Sequence, residues 1–164
     1  MITIISAMTA DRVIGSGDGM PWDVPEEYQR YLDTVRGGVV VFGRKSYEIF
    51  GADLADATPV VVTRQPSIKN LGGDAVRCAG SLESALKIAD RLPGAAFVAG
   101  GAQIYEQAIP LAEAMYLSTI HGDFAGDAYF PAFDESDWRV VRHERFPRYD
   151  FREYQRVTPR SRPS

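Results

Sequence analysis

The sequence predicts an α/β protein with a mixed, mostly parallel sheet flanked by helices. Five short runs are β-branched and apolar without interruption: "ITIISA" (2–7), "GVVVF" (38–42), "PVVVT" (59–63), "AAFVA" (95–99) and "MYLSTI" (115–120). Continuous apolar runs of this length suit strands covered on both faces. Helical segments stand between the early runs, which points to parallel strands joined by crossovers. The last third differs, because "WRVVRHERF" (138–146) and "FREYQRV" (151–157) alternate polar with apolar residues around the turn "PRYD". That pattern predicts an antiparallel hairpin at the C-terminal edge.

Each element has a local reason. The first strand begins directly after Met1, with no basic stretch before it, so it reads as a strand and not as a signal peptide. Pro25 suits the first turn of a helix over 25–35. Gly43 ends the second strand, and a short helix follows over about 44–50. Ser81 is a good N-cap for a helix over 81–91, where Leu82, Ala85, Leu86 and Ala89 recur at helical spacing. The pair Gly100–Gly101 closes another strand and opens a helix over 102–110. Cys78 reads as a small strand residue without a redox role, and Trp138 as packing for the C-terminal strands. His121 and His143 lack metal-ligand spacing and read as surface or loop residues. The polar tail 158–164 reads as frayed, which leaves 1–157 as one domain.

The 164 residues, 45% hydrophobic and 24% charged, are enough for one domain with a sizeable core. A net charge of −4 argues against nucleic acid or an anionic membrane as the main partner. No apolar run approaches the roughly 20 residues of a membrane span. A single cysteine excludes an internal disulfide and fits a reducing cytoplasm. The oligomeric state is not legible.

Ligands of open α/β sheets sit beyond the carboxyl ends of the strands. There "VVVFGRKSYEIFG" turns at Gly43 and offers Arg44, Lys45 and Ser46, and "FVAGGAQIYEQ" turns at Gly100–Gly101 and offers the amides of residues 102–104. Thr63–Arg64 ends a third strand on the same rim. Free amides at helix starts and arginine forks both read phosphate. Taken together they point to a dinucleotide with an extra phosphate, NADPH, although a Gly-Gly turn or a rim arginine alone is commonly just surface. The glycine pattern of a standard Rossmann fold is absent. In "GMPWDVPEEYQRYL" (19–32), Asp23 could cap the helix, and Glu26 and Glu27 could simply complement its dipole. Helical geometry separates the two glutamates. Glu27 shares a face with Tyr31, beside Tyr28 and Leu32, whereas Glu26 projects about 100° away toward Gln29 and Arg30. Glu27 therefore belongs to the apolar wall, where burial raises a carboxyl pKa.

The ordered segments "ISAMTADRVIG", "MPWDVPEE", "VVVFGRKSYE", "VVVTRQ", "AGGAQIYEQAIP", "YLSTI" and "GDAYFP" resemble the dihydrofolate reductase family over residues 2–157. The resemblance implies an eight-stranded sheet and an NADPH-dependent oxidoreductase that transfers hydride to C6 of a 7,8-dihydropterin while a proton is added at N5. It places Glu27 on the acid that binds the pterin's 2-amino group and promotes that protonation. It places Ile5, Ala7, Tyr28, Tyr31, Leu32 and Phe50 around the substrate, and Ser118 on a hydroxyl linked to the acid. Trp22 matches a residue that holds an ordered water, and Met20 a mobile loop (about 9–23) that closes over the nicotinamide. Ala7, Ile14, Gly43, Arg44, Lys45, Ser46, Thr63, Arg64, Gly100, Gly101, Ala102, Gln103, Ile104 and Tyr105 fall on the cofactor side, with a cis peptide implied between the two glycines.

The resemblance breaks in "FGADLADATPVVV" (50–62). Family members usually carry an arginine before this strand that pairs with the glutamate tail of folate, and Ala57 stands there. Ala52 and Leu32 replace two further positions that are often basic, while Asp53 and Asp56 add negative charge. The reading is a pterin reductase whose substrate lacks that glutamate, with dihydromethanopterin as the candidate. The alternatives are ordinary dihydrofolate reduction with weakened tail recognition, Arg36 or another cation standing in, and a non-catalytic NADPH- or pterin-binding module. A pyrimidine reductase of riboflavin synthesis is disfavoured by the intact "MPWDVPEE".

Overall fold

The computed structural model describes residues 1–17, 19–64 and 76–160. The chain runs β1 (Ile2–Thr9), β2 (Val13–Gly15), α1 (Pro25–Val35), β3 (Val39–Gly43), α2 (Arg44–Phe50), β4 (Thr58–Val62), β5 (Arg77–Ala79) and α3 (Leu82–Asp90). It continues through β6 (Ala96–Val98), α4 (Ala102–Ala108), β7 (Ala114–Ile120), β8 (Ala128–Tyr129), β9 (Trp138–Arg145) and β10 (Tyr149–Arg156). Eight strands form one sheet in the order β5-β4-β3-β6-β1-β7-β10-β9. Pairing is parallel from β5 to β7 and antiparallel from β7 through β10 to β9, as the sequence pattern predicts.

Period-two alternation divides the apolar runs between two faces. Ile4, Val39, Val41, Val60 and Val98 pack with Leu82 and Ala85 of α3 and Ile104 and Ala108 of α4. Their neighbours Ile5, Val40, Phe42, Val61 and Phe97 turn the other way, onto Val35 of α1 and Tyr47 of α2. Both faces are covered, and that is why these strands carry no polar alternation. β9 is the outer edge, exposed along most of its length. Trp138 at its start is buried beneath the Arg156 guanidinium, 4.3 Å from the ring centroid.

Some boundaries differ from expectation. α3 keeps its Ser81 cap, which accepts a hydrogen bond from Ser84 N at 3.1 Å. α4 stops at Ala108, close before Pro110, which has no N–H to extend the ladder. Tyr149 and Asp150 belong to β10 and not to the turn, because Tyr149 is buried and stacked on Phe146 at 4.6 Å. Asp23 does not cap α1: the N-cap is Val24, with no side-chain cap, and the Asp23 carbonyl accepts from Arg148 at 3.2 Å. Pro25 already removes one of the amides a cap would serve. The two-stranded pair β2–β8 was not foreseen, since two or three residues carry no readable period. At the tail, Arg160 pairs with Glu113, and residues 161–164 lie outside the described residues.

Candidate active site

β6 lies between β3 and β1, so the connections on either side diverge and leave a cleft at the strand carboxyl ends. Its floor is built by glycines. Gly43 N donates to Gly100 O at 2.9 Å, and the Gly100–Gly101 peptide is cis, as the resemblance implied. Gly100 has φ +113°, and a Cβ there would stand 3.3 Å from the Tyr105 hydroxyl and 3.4 Å from Ser46 Oγ. A side chain at this point would therefore be strained as well as crowded. Gly43 and Gly101 are also the N-caps of α2 and α4, and neither helix start has a side-chain cap. The buried Tyr105 hydroxyl donates to Ile5 O at 2.8 Å, fixing α4 to β1 under the cleft.

Glu27 enters the opposite wall from the first turn of α1. It is 8% exposed, and its Oε2 has no hydrogen-bond partner among the described residues. Burial pushes its carboxyl up to about 7, against the opposing pull of the Arg30 guanidinium. Ile5, Ala7, Met20, Tyr28, Tyr31, Phe50 and Ser118 line the same cleft. Glu26 stands outside, where Arg148 Nε donates to it at 2.7 Å and holds its carboxyl below the usual range. The helical reading that separated the two acids is thus what the geometry displays. The Tyr28 hydroxyl donates at 2.5 Å to Asp53, which borders the hollow beside the cleft. Ser118 is buried beside the acid, yet among the described residues no hydrogen bond joins its hydroxyl to Glu27.

Ile14, Gly43, Lys45, Ser46, Gly100, Gly101, Ala102 and Tyr105 also line the cleft. Other expected residues are not in its lining. Trp22 is buried in an adjoining hollow with Met20 and Glu27, edge-on to Phe124. Leu32 is half-buried on α1, Ile104 belongs to the core behind the floor, and Gln103 is exposed. Arg44 pairs with Glu48 at 2.8 Å, while Thr63 and the exposed Arg64 follow β4. These cations stand on strand ends beyond the glycine floor, and the combination suits a phosphate-bearing dinucleotide.

Sequence reasoning placed Arg30 with Glu26 and missed its role in the cleft. Its guanidinium lines the cleft, lies 3.7 Å from the Phe151 ring centroid and pairs with Glu144 at 2.9 Å. Helical projection cannot see partners supplied by the C-terminal hairpin. Tyr116 was also missed, although it stands two residues before Ser118 and strand periodicity puts both on one face. Asp127 was missed as well; its carboxylate accepts from Gly17 N at 3.3 Å and its own N–H donates to Gly15 O at 3.0 Å, tying the loop around β2 to β8. His121 and His143 both contact Asp150, at 3.0 and 3.3 Å, and the described residues contain no cluster able to hold a metal ion.

A buried acid shares one cleft with Lys45 and the glycine-capped starts of two helices, an arrangement able to hold a proton-carrying group beside a dinucleotide. Comparison with known proteins identifies the family. The family model for dihydrofolate reductase matches residues 1–158. The chain is 38% identical over 144 residues to the dihydrofolate reductase of Bacillus subtilis (strain 168), covering 88% of this chain and 83% of that one. It is 35% identical to the type A13 dihydrofolate reductase of Escherichia coli, covering 87% and 85%. The structure of Enterococcus faecalis dihydrofolate reductase complexed with NADP(H) and RAB-propyl superposes with a TM-score of 0.85 at 27% identity, over 96% of this chain and 97% of that one. This chain belongs to the dihydrofolate reductase family, whose members are NADPH-dependent oxidoreductases.

Proposed function

We propose that this protein reduces a 7,8-dihydropterin to the 5,6,7,8-tetrahydro form at the expense of NADPH. Glu27 carries the proposal. Its oxygen without a partner is buried in an apolar cleft, and burying a polar atom unpaired costs about 1–3 kcal/mol. A pterin's 2-amino group and adjacent ring nitrogen present paired donors in one plane, which a carboxylate can accept together. A carboxyl pushed up to about 7 is divided between its two forms at neutral pH, which suits a group that promotes protonation at N5. NADPH, when bound, supplies the hydride to C6.

The chain's own residues then take these roles. Gly43, Gly100 and Gly101 let the cofactor approach the backbone, with Ala102 beside them. Arg44, Lys45, Ser46, Thr63 and Arg64 hold its phosphates. Ile5, Ala7 and Tyr31 orient the ring against Glu27, and Met20 with Trp22 excludes water. In support, Ile5, Ala7, Met20 and Tyr31 share the cleft with the acid and the glycine floor. Loss of NADPH absorbance on adding dihydrofolate tests the reading, and Glu27→Gln is expected to abolish most of it at neutral pH. NADPH binding without turnover of any dihydropterin would favour a binding module instead. The half-buried single cysteine suits a cytoplasmic setting, and no helix among the described residues is long and apolar enough to cross a membrane.

A second reading concerns the tail of the substrate. Ala57 packs into an apolar cluster where the family pattern has arginine. Arg36 is engaged by Asp33 at 3.2 Å and Asp56 at 3.9 Å, and Asp53 accepts from Tyr28 in the hollow beside the cleft. This rim favours a dihydropterin without the folate glutamate, such as dihydromethanopterin. Turnover of both substrates side by side separates the two: comparable kcat/KM for dihydrofolate and ordinary family members would remove the altered-tail reading.

A further inference from the structure

We propose that Arg30 is a positioning residue for Glu27: clamped between Phe151 and Glu144, it fixes a positive charge beside the buried acid and sets how readily that acid ionises. The inference rests on the reading of Glu27 as the proton-delivering group only for its effect on turnover; the effect on ionisation stands by itself.

Arg30 follows Glu27 at i+3 on α1, so the two side chains are neighbours on the helix surface. Its guanidinium does not extend freely into water. It lies over the Phe151 ring at 3.7 Å, donates to Glu144 Oε1 at 2.9 Å, and is 23% exposed. A second hollow shares Arg30, Thr34, Tyr116 and Phe151 with the cleft, so Arg30 borders both. Glu144 does not cancel it alone, because it is shared with Arg142 at 2.5 Å, and Arg142 also lies near the Phe151 ring. Glu26, Asp33 and Glu153 border the same hollow, Glu153 opposite Arg142 in the β9–β10 register, so the positive charge acting on Glu27 is that of Arg30 itself and not of a net cationic cluster. A guanidinium keeps its charge throughout the working pH range, and a flat cation stacked on an aromatic ring has little freedom to swing away.

Most of the other titratable groups around Glu27 are hydroxyls. From α1 come Tyr28 and Tyr31, from α4 Tyr105, and from β10 Tyr149; burial raises the pKa of all four, so they remain neutral. Ser118 of β7, Lys45 of α2 and Asp127 line the same cleft, and Asp53 borders the adjoining hollow, where it accepts from Tyr28. Arg30 is thus the charged side chain of α1 that shares the cleft with the acid, and it acts on the acid in the direction that favours ionisation.

The test follows the Glu27 carboxyl directly in the full chain, by carbon-13 NMR of glutamate-labelled protein, with the resonance assigned by its loss in Glu27→Gln. Arg30→Met is expected to raise the Glu27 midpoint by about one pH unit, a tenfold loss of the ionised form at a given pH. Arg30→Lys, which keeps a charge, is expected to restore most of it. Glu144→Gln keeps the hydrogen bond but removes the opposing charge, and is expected to lower the midpoint, which also serves if Arg30→Met does not fold. An unmoved midpoint in Arg30→Met, or an unmoved or raised one in Glu144→Gln, overturns the inference. A midpoint that moves while the pH profile of hydride transfer stays fixed upholds Arg30 and overturns Glu27 as the group that governs turnover.

Discussion

Replacing Glu27 with Gln should make the pH dependence of stability visibly flatter. The carboxyl has an ordinary value of 4.5 and is pushed up to about 7 in the folded chain. Between those values the unfolded chain has released a proton that the native state still holds, so native stability falls as pH rises through the window. At ~1.4 kcal/mol per pH unit the full displacement amounts to about 3 kcal/mol, present below the window and lost above it. With only 8% of the residue exposed, solvent does little to reduce the effect. Glutamine keeps the shape and cannot ionise, so the variant does not share the loss. Urea unfolding of both ligand-free proteins at about pH 5 and about pH 8 measures the difference. Glu27→Gln is expected to gain on the wild type by about 2.5 kcal/mol between the two conditions, since pH 5 already lies inside the window. A stability difference that stays constant across that range would show that the acid is solvated or paired, and the proton-delivery argument would lose its basis.

Three further outcomes follow from other parts of the structure. Gly94→Ala should lower stability by at least about 2 kcal/mol in thermal unfolding, because Gly94 has φ +95° and a Cβ there would stand 2.2 Å from the Gly37 carbonyl oxygen. Ser81→Ala should cost about 1 kcal/mol in the same assay through loss of the α3 cap. Ala57→Arg should lower KM for dihydrofolate by about tenfold or more with little change in kcat, if the tail lacks only its cation. An unchanged KM would mean that the loop backbone has moved as well.

Much of the fold was legible because the buried parallel strands and their glycine ends leave strong local marks. Five apolar runs, the Pro25 start and the Ser81 cap each correspond to an observed element. The short pair β2–β8 was not legible, since its stability comes from contacts such as Gly15 with Asp127 far along the chain. Within the site, helical spacing correctly set Glu27 inward and Glu26 outward. The same method failed for Arg30, whose long side chain takes its direction from Phe151 and Glu144 and not from its position on the helix. It also failed for Asp23, where a proline and an arginine from the distant hairpin replaced the cap a sequence pattern suggests.

The proposed role of Glu27, as the group whose ionisation governs reduction, is measured most directly by the pH profile of hydride transfer. Single-turnover oxidation of NADPH, compared with the 4-deuterated cofactor to isolate the chemical step, would be followed for the wild type and Glu27→Gln with the same dihydropterin. The wild-type rate is expected to fall as pH rises through the region of about 7, and the Glu27→Gln rate to be at least about a hundredfold lower at neutral pH with that inflection gone. A Glu27→Gln rate equal to the wild type, with the same inflection, would contradict that role.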